Sequence, residues 1–202
     1  MRSIRSLFTA LVVLIAGIAL IVVSAGEMMD YSKTGEDFSQ LTISDIKEGM
    51  MIEGDLPYNY GSYEYIKKEK DKEGFGYYYL IGVNGSGFMG LYTAVDELIE
   101  QLDAQYDDLF NATVPEDIDN VAPVHFKGKV TKMDSEDVNY YRTTLTDDIG
   151  MDDDSIDEYC LELYIKCVDT SSHPFILVIG IVCTVAGLLL MFLFIRRKIM
   201  GR

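Results

Sequence analysis

Charged residues divide this chain of 202 residues into an acidic middle and two basic ends. Residues 26–173 hold all 33 Asp and Glu side chains and 11 of the 17 Lys and Arg side chains, a net charge of −22. The two ends hold the other six basic residues and no acidic residue. Charge sorted in this way is typical of a membrane protein, because basic residues flank membrane spans and are retained on one side of the bilayer.

Two long runs without charge lie between the acidic middle and the basic ends. They cover residues 7–25 and residues 174–195, which are 19 and 22 residues long. A bilayer core of about 30 Å needs about 20 helical residues to cross it. Both runs are therefore predicted to be transmembrane helices, and the bilayer is the first predicted partner of the chain.

The first run also has features of a secretory signal sequence. Residues 1–6 are short and basic, and Val23-Ser24-Ala25 resembles a signal-peptidase site. The apolar core of a cleaved signal is usually about 7–15 residues long, so the longer run here favours a retained anchor over a cleaved signal. In both cases the acidic middle lies on the same side of the membrane.

The basic residues at both ends predict the orientation. Residues 1–6 contain Arg2 and Arg5, and residues 196–202 contain Arg196, Arg197 and Lys198. Basic residues next to membrane spans remain in the cytoplasm. We therefore expect a two-pass protein of the cell membrane with both termini in the cytoplasm and the acidic domain outside it.

Residues 26–41 are predicted to be a polar linker, and residues 42–169 an acidic domain rich in β-strands. Apolar and aromatic residues alternate in several short segments, and two other segments have helical periodicity. The predicted strands are 50–56, 60–68, 75–83, 88–92, 124–131 and 158–168. The predicted helices are one capped by Thr93 and one over 135–148, and the charged run 67–74 is predicted to be a hairpin tip.

When 88–92 is counted with 75–83 as the continuation of the third strand, the order is strand, strand, strand, helix, strand, strand, with a small helical insertion before the last strand. This order resembles a Greek-key barrel of the OB type, whose helix lies between the third and fourth strands. The segment Phe126-Lys127-Gly128-Lys129-Val130 resembles the glycine-containing strand of many OB-like domains. We therefore favour two transmembrane helices flanking an α+β domain with an OB-like small barrel. An open antiparallel sheet with packed helices is the alternative. The whole layout resembles uncharacterised two-span membrane proteins of Gram-positive bacteria, and this resemblance implies no activity.

The sequence contains no arrangement of residues typical of a catalytic or cofactor site. Cys160 and Cys167 are seven residues apart on a predicted strand, so their side chains point to opposite faces and are not expected to form a disulfide. His125 and His173 are far apart and have no cysteine-rich neighbours. We therefore predict no catalytic residue, no cofactor and no enzymatic activity.

The densest acidic cluster is the weak candidate for a metal site. Asp152, Asp154, Asp157 and Glu158 could supply oxygen ligands to calcium, but the spacing of an EF-hand loop is missing. A solvated acidic loop is the preferred interpretation. Nucleic acid is excluded as a partner, because a net charge of −22 repels phosphate.

These observations predict a membrane-anchored, extracytoplasmic binding or scaffold module. The expected partners are another membrane or cell-envelope protein, or a second copy of the chain. Small residues four apart in the second span, Gly180 with Thr184 and Cys183 with Gly187, are typical of helix association. The alternative function is a carboxylate-dependent hydrolase at the cell surface.

Overall fold

The computed structural model describes residues 2–66, 76–114, 117–118 and 120–200. The chain divides into two compact units, one formed by Met1–Ser32 with Thr170–Arg202 and the other by Lys33–Asp169. The predicted hairpin tip at 67–74 lies outside the described residues. We describe the first unit as the helical pair and the second as the acidic domain.

The helical pair consists of α1 (Arg2–Tyr31) and α5 (His173–Met200). The elements of the acidic domain are, in order, β1 (Glu36–Asp37), a 3-10 turn (Phe38–Gln40), β2 (Met51–Leu56), β3 (Asn59–Ile66), β4 (Gly76–Gly82), β5 (Phe88–Thr93), α2 (Asp96–Asn111), β6 (Val124–Lys132), α3 (Ser135–Asp147), α4 (Asp153–Tyr159) and β7 (Cys160–Cys167).

The segments Leu7–Tyr31 of α1 and His173–Arg196 of α5 are long and apolar enough to cross a membrane. The two helices run antiparallel, because Leu14 lies against Gly187 at one level while Gly17 lies against Gly180 at another. At the end of the pair that leads to the acidic domain, His173 Nε2 lies 2.8 Å from Glu27 Oε2. The two predicted spans are thus one packed helical pair.

Small residues allow the two helix backbones to approach closely. A Cβ atom added at Gly17 would lie 2.6 Å from the backbone nitrogen of Thr184, and one added at Gly180 would lie 3.1 Å from the carbonyl oxygen of Gly17. Ala10, Gly17 and Ser24 are buried seven residues apart along α1. Gly180 and Thr184, which the sequence suggested for helix association, face α1 of the same chain.

A leucine at Gly17 should separate the helical pair, because overpacking a close contact costs about 1–3 kcal/mol. The matched control is Gly26→Leu in the same helix, since nothing lies within 4 Å of a Cβ atom at Gly26. The measurement is oxidative crosslinking between Glu27→Cys and His173→Cys, after the three native cysteines are replaced by alanine. We expect Gly17→Leu to reduce the intramolecular crosslink and Gly26→Leu to leave it unchanged; equal crosslinking in both variants would contradict the packing described above.

The strands of the acidic domain form a seven-stranded sheet in the order β1-β2-β6-β7-β5-β4-β3. The pairs β1–β2 and β5–β7 are parallel, and the remaining neighbours are antiparallel. The α+β class is therefore confirmed. The sheet is open, so the favoured OB-like barrel does not describe it. The alternative, an open antiparallel sheet, is right that the sheet is open but wrong that it is antiparallel, because two strand pairs are parallel.

A very short connection forces this open sheet to curl. β3 lies at one edge and β2 lies next to the other edge, yet only Pro57 and Tyr58 separate them in the chain. Three Cα–Cα steps of 3.8 Å span at most about 11 Å. The end of β2 and the start of β3 must therefore meet, although no ladder joins these two strands in the described part of the chain.

The side chain of Gln105 on α2 lies at this meeting point. Its amide nitrogen lies 3.0 Å from the carbonyl oxygen of Leu56, 3.1 Å from that of Pro57 and 3.0 Å from that of Ala122. Its amide oxygen accepts a hydrogen bond of 3.0 Å from Asn59 Nδ2. In a closed barrel, a ladder between β2 and β3 would satisfy the backbone groups at this position. Here the side chain of Gln105 bonds the carbonyl groups instead, so helix α2 takes the place of that ladder. We call this arrangement the seam.

The two faces of the sheet bury different apolar clusters. The inner cluster packs beneath α2 and includes Phe38, Ile52, Leu102 and Phe126. The outer cluster lies under α3 and α4 and is formed by Leu80, Met133, Tyr141, Leu145 and Ile156. Helices therefore cover both faces of the sheet.

Three local predictions are wrong. β5 extends through Thr93 and α2 begins at Asp96, because the Thr93 hydroxyl bonds Val95 N and turns the chain before the helix begins. The predicted linker 26–41 contains the end of α1, β1 and a 3-10 turn whose Phe38 is fully buried. The last strand begins at Cys160, because Asp152 caps the unpredicted helix α4.

Replacing Gln105 by leucine should destabilise the acidic domain, because it leaves buried carbonyl groups and Asn59 without their partner. Such losses cost about 1–3 kcal/mol for each unsatisfied group, so we expect the free energy of unfolding to fall by at least about 2 kcal/mol. The measurement is denaturant unfolding of the full chain in detergent, followed by near-ultraviolet circular dichroism of the tyrosines. Gln101→Leu is the matched control, since Gln101 is exposed on the same helix; an equal effect of both variants would refute the role of the seam.

Candidate binding site

A cavity of about 260 Å³ opens beside the turn that joins β4 to β5. Tyr60 of β3 and Phe88 of β5 form one side, and Met151 and Tyr159 approach from the α3–α4 region. The remaining lining comes from the turn and its edge: Gly82, Gly85, Ser86 and Gly87. Among the described residues the lining has eight members, of which three are aromatic and none carries a charge, and this is the composition of a small-molecule pocket.

The turn is held by residues that tolerate positive φ angles. Asn84 has a φ angle of 43° and Gly85 one of 70°, as in the type I′ turns that suit β-hairpins. Ser86 Oγ donates to Val83 O at 2.6 Å and accepts from Ile43 N at 3.1 Å. This network fixes the rim of the cavity.

Gly87 permits a close approach between the turn and α4. Its φ angle is 155°, and a Cβ atom there would lie 1.8 Å from the carbonyl oxygen of Tyr159. No other residue fits at this position without moving α4. The close approach brings Tyr159 to the cavity.

A β-bulge directs Tyr60 to the same place. The side-chain oxygen of Asn59 accepts a hydrogen bond of 2.9 Å from Gly61 N, and the register of β3 against β4 shifts between Asn59 and Ser62. Gly61 has a φ angle of 96°. Bulges re-aim side chains, and this one holds the residues on both sides of Tyr60.

Two aromatic rings of the lining, those of Tyr60 and Phe88, contact each other edge to face. The ring centroids of Tyr60 and Phe88 are 5.3 Å apart and their planes meet at 74°. Tyr58 continues the series, with its centroid 6.3 Å from that of Tyr60. Burial raises the pKa of Tyr60, and the neighbouring Glu158 carboxylate raises that of Tyr159. Both phenols are therefore neutral at physiological pH.

The structure does not bring the four calcium candidates together into one cluster. Asp152 caps α4 by accepting a hydrogen bond of 2.8 Å from Ser155 N, and Asp157 forms an ion pair with Arg142. Asp154 and Glu158 are exposed. Across the described ranges no three His, Cys, Asp or Glu side chains converge. The physical reason is that Asp152 and Asp154 lie at the start of a short helix, where carboxylates are favourable, while Asp157 pairs with Arg142.

A second group of titratable residues lies at the outer cluster under α3. Burial, with the nearby Asp137 carboxylate as the next cause, raises the pKa of Glu64 to about 7. Burial also raises the pKa of Asp137, whose Oδ2 lies 3.2 Å from the hydroxyl of Tyr78. Glu64 Oε2 is buried and has no hydrogen-bond partner among the described residues.

The cysteines and histidines are not brought together. Cys160 belongs to the outer cluster and Cys167 to the inner one, which confirms the prediction of opposite faces. Burial raises the pKa of Cys167 to about 12. His125 lies on the polar face of β6, 2.8 Å from Asp55, and His173 belongs to the helical pair.

The sequence indicated the turn at 84–87 but not the cavity beside it. Local patterns reveal neither the bulge at Asn59 nor the approach of Tyr159, since both depend on contacts distant in the chain. The sequence signal that could have indicated the cavity was the spacing of Tyr58 and Tyr60, two residues apart after a proline. In an extended segment this spacing places both rings on the same face.

The chain thus defines a class of protein in which an acidic α+β domain is preceded and followed in the sequence by an apolar helix long enough to cross a membrane. The family described as "Domain of unknown function (DUF8577)" matches residues 2–197, and the chain belongs to this family. The match covers both apolar helices and the whole domain, and it is compatible with the layout resemblance to two-span membrane proteins. No curated protein and no solved structure matches the chain.

Replacing Glu64 by glutamine should change the pH dependence of stability. Below pH 4.5 the carboxyl group is protonated in both the folded and the unfolded chain. Between 4.5 and about 7 it ionises first in the unfolded chain, so stability falls as pH rises, and above about 7 this loss is complete. We expect Glu64→Gln to be more stable than the native chain at pH 8 by a larger margin than at pH 5.

The check is thermal unfolding of the full chain at both pH values. Glu97→Gln, at an exposed position of α2, is the control for the general effect of removing one negative charge. A margin that is the same at pH 5 and pH 8 would show that burial of Glu64 does not raise its pKa.

Proposed function

We propose that this protein is a membrane-anchored binding module that presents its acidic domain outside the cytoplasm. The observation that carries the proposal is the cavity lined by Tyr60, Phe88 and Tyr159, which belongs to a domain connected at both ends to apolar helices. Its partner is a cell-envelope component or another membrane protein.

The orientation is supported by the position of the charges. Basic residues at 1–6 and 196–202 lie beyond the two spans, and such residues stay in the cytoplasm. The inner leaflet is anionic and would repel a segment with a net charge of −22. Both effects favour an outside position for the acidic domain.

Binding is favoured over catalysis by the lining of the cavity. Among the lining residues that the structure describes, the side-chain groups that could act as general acid or base are the neutral Tyr60 and Tyr159 hydroxyls and the Ser86 hydroxyl. The Ser86 hydroxyl already bonds Val83 O and Ile43 N. A lining of this kind holds a ligand through contact area and shape rather than through proton transfer.

The alternative of a carboxylate-dependent hydrolase has one observation in its favour. Burial, followed by the nearby Asp137 carboxylate, raises the pKa of Glu64 to about 7, and a carboxyl group with such a pKa suits general acid-base chemistry. Neither residue lines the cavity, however, and Asp137 also bonds Asp134 N at the start of α3. The pair is better explained as part of the packing under α3.

Labelling from outside the cell tests both the orientation and the accessibility of the cavity. In a variant whose three native cysteines are alanine, Ser86→Cys should react with a membrane-impermeant maleimide in intact cells. Arg202→Cys, at the other predicted side of the bilayer, is the matched control and should react only after the membrane is permeabilised. The reverse pattern would overturn the proposed function.

A further inference from the structure

We propose that the cavity beside the β4–β5 turn binds a quaternary ammonium group, such as the trimethylammonium group of choline. This inference rests on the proposed function and names the ligand chemistry of the same cavity. It follows from the aromatic lining, from the absence of charge among the described lining residues, and from the acids that lie next to that lining in the chain.

The aromatic residues supply the attractive surface. The face of an aromatic ring carries partial negative charge, and a cation within about 6 Å of the ring centroid is attracted to it. Tyr60 and Phe88 present rings whose planes differ by 74°, so the two rings are not stacked on each other. Tyr159 adds a third ring, 45% exposed, from α4.

The size of the cavity suits a small organic group. Its volume of about 260 Å³ lies just below the range of about 300–1,000 Å³ typical of pockets for drug-sized ligands. The lining glycines limit side-chain intrusion: a Cβ atom at Gly82 would lie 3.3 Å from the ring of Tyr60. A compact, nearly spherical headgroup fits such a space better than an extended chain.

The surrounding charge selects for a cation. Tyr159 is the last residue of α4, whose exposed acids include Asp153, Asp154 and Glu158. These carboxylates lie outside the lining, so they attract a cation over a distance without having to lose their own water. An anionic ligand would be repelled, and a neutral sugar would gain nothing from this field.

A lining without carboxylates also separates a quaternary ammonium from an inorganic cation. Calcium needs six to eight oxygen ligands, whereas the described lining consists of aromatic rings, a methionine and glycines, with side-chain oxygens only from the hydroxyls of Ser86, Tyr60 and Tyr159. A quaternary ammonium has no N–H donor, so it needs no hydrogen-bond acceptor when its water is removed. Aromatic rings are the surface that recognises such groups.

The test is calorimetric titration of the full chain, in nanodiscs of phosphatidylglycerol, with choline and with 3,3-dimethylbutan-1-ol. The alcohol has the same shape as choline but no charge. The neutral alcohol makes no cation–π contact, so choline should bind at least about tenfold more tightly than the alcohol. Equal binding of the two compounds, or no binding of choline, would overturn the proposal.

Two variants test whether choline binds in this cavity. Phe88→Leu and Tyr159→Leu should each weaken choline binding by about threefold to thirtyfold, the range expected for loss of one cation–π contact. Phe110→Leu is the matched control, because Phe110 is an aromatic residue of α2 that is 76% exposed and does not line the cavity. Because Tyr159 is also exposed, its variant should still fold, as circular dichroism can verify. Unchanged binding in a folded Tyr159→Leu variant would place choline elsewhere and overturn the proposal.

The source of the ammonium group is assigned by repeating the titration in nanodiscs that contain phosphatidylcholine. Competition by the lipid would identify a lipid headgroup as the ligand, and unchanged affinity would identify free choline or a related solute; both results support the recognition of a quaternary ammonium. Failure of choline to bind while Ser86→Cys is labelled from outside would reject this ligand class and leave the proposed function standing. Labelling only after permeabilisation would reject the proposed function itself.

Discussion

The hydrogen-bond network formed by the side chains of Asn59 and Gln105 is the interaction on which the rest of the acidic domain depends. Asn59 is fully buried, and its Nδ2 atom donates to Leu102 O and to Gln105 Oε1. Its Oδ1 atom accepts from Gly61 N and so forms the bulge in β3. One side chain therefore fixes α2 against the curled sheet and also sets the direction of Tyr60. A buried amide left without these partners would cost about 1–3 kcal/mol, so the folding of the seam and the shape of the cavity are coupled.

The same seam explains why an open sheet encloses a core as a barrel does. In a barrel, a ladder between the first and last strands satisfies their backbone groups. Here the carbonyl groups of Leu56 and Pro57 accept from Gln105 instead, so α2 covers the gap between β2 and β3. The inner cluster then packs between α2 and the sheet, and the opposite face remains available to α3 and α4.

The sequence predicted what depends on local patterns and failed where distant contacts decide. The two apolar runs, the class of the domain and the alternation in β6 follow from periods of hydrophobicity, and the structure has all three. The OB-like barrel was an inference from element order, and order does not reveal that a glutamine 49 residues from Leu56 would occupy the closing position. The calcium candidates are not brought together for a related reason. Asp152 is the N-cap of α4 and Asp157 pairs with Arg142, and when this helix is not recognised in the sequence its acids read as one acidic cluster.

The separation of aromatic lining from surrounding carboxylates is what makes a cation the fitting ligand. A carboxylate inside the cavity would have to lose water when a ligand enters, and that desolvation offsets much of the attraction between opposite charges. The faces of rings such as those of Tyr60 and Phe88 bind water weakly. A cation that contacts them therefore faces a smaller desolvation cost than one that contacts a buried carboxylate. The acids of α4 remain in solvent and act at a distance, which raises the local concentration of cations. A domain with this net charge can therefore recognise a cation through neutral side chains.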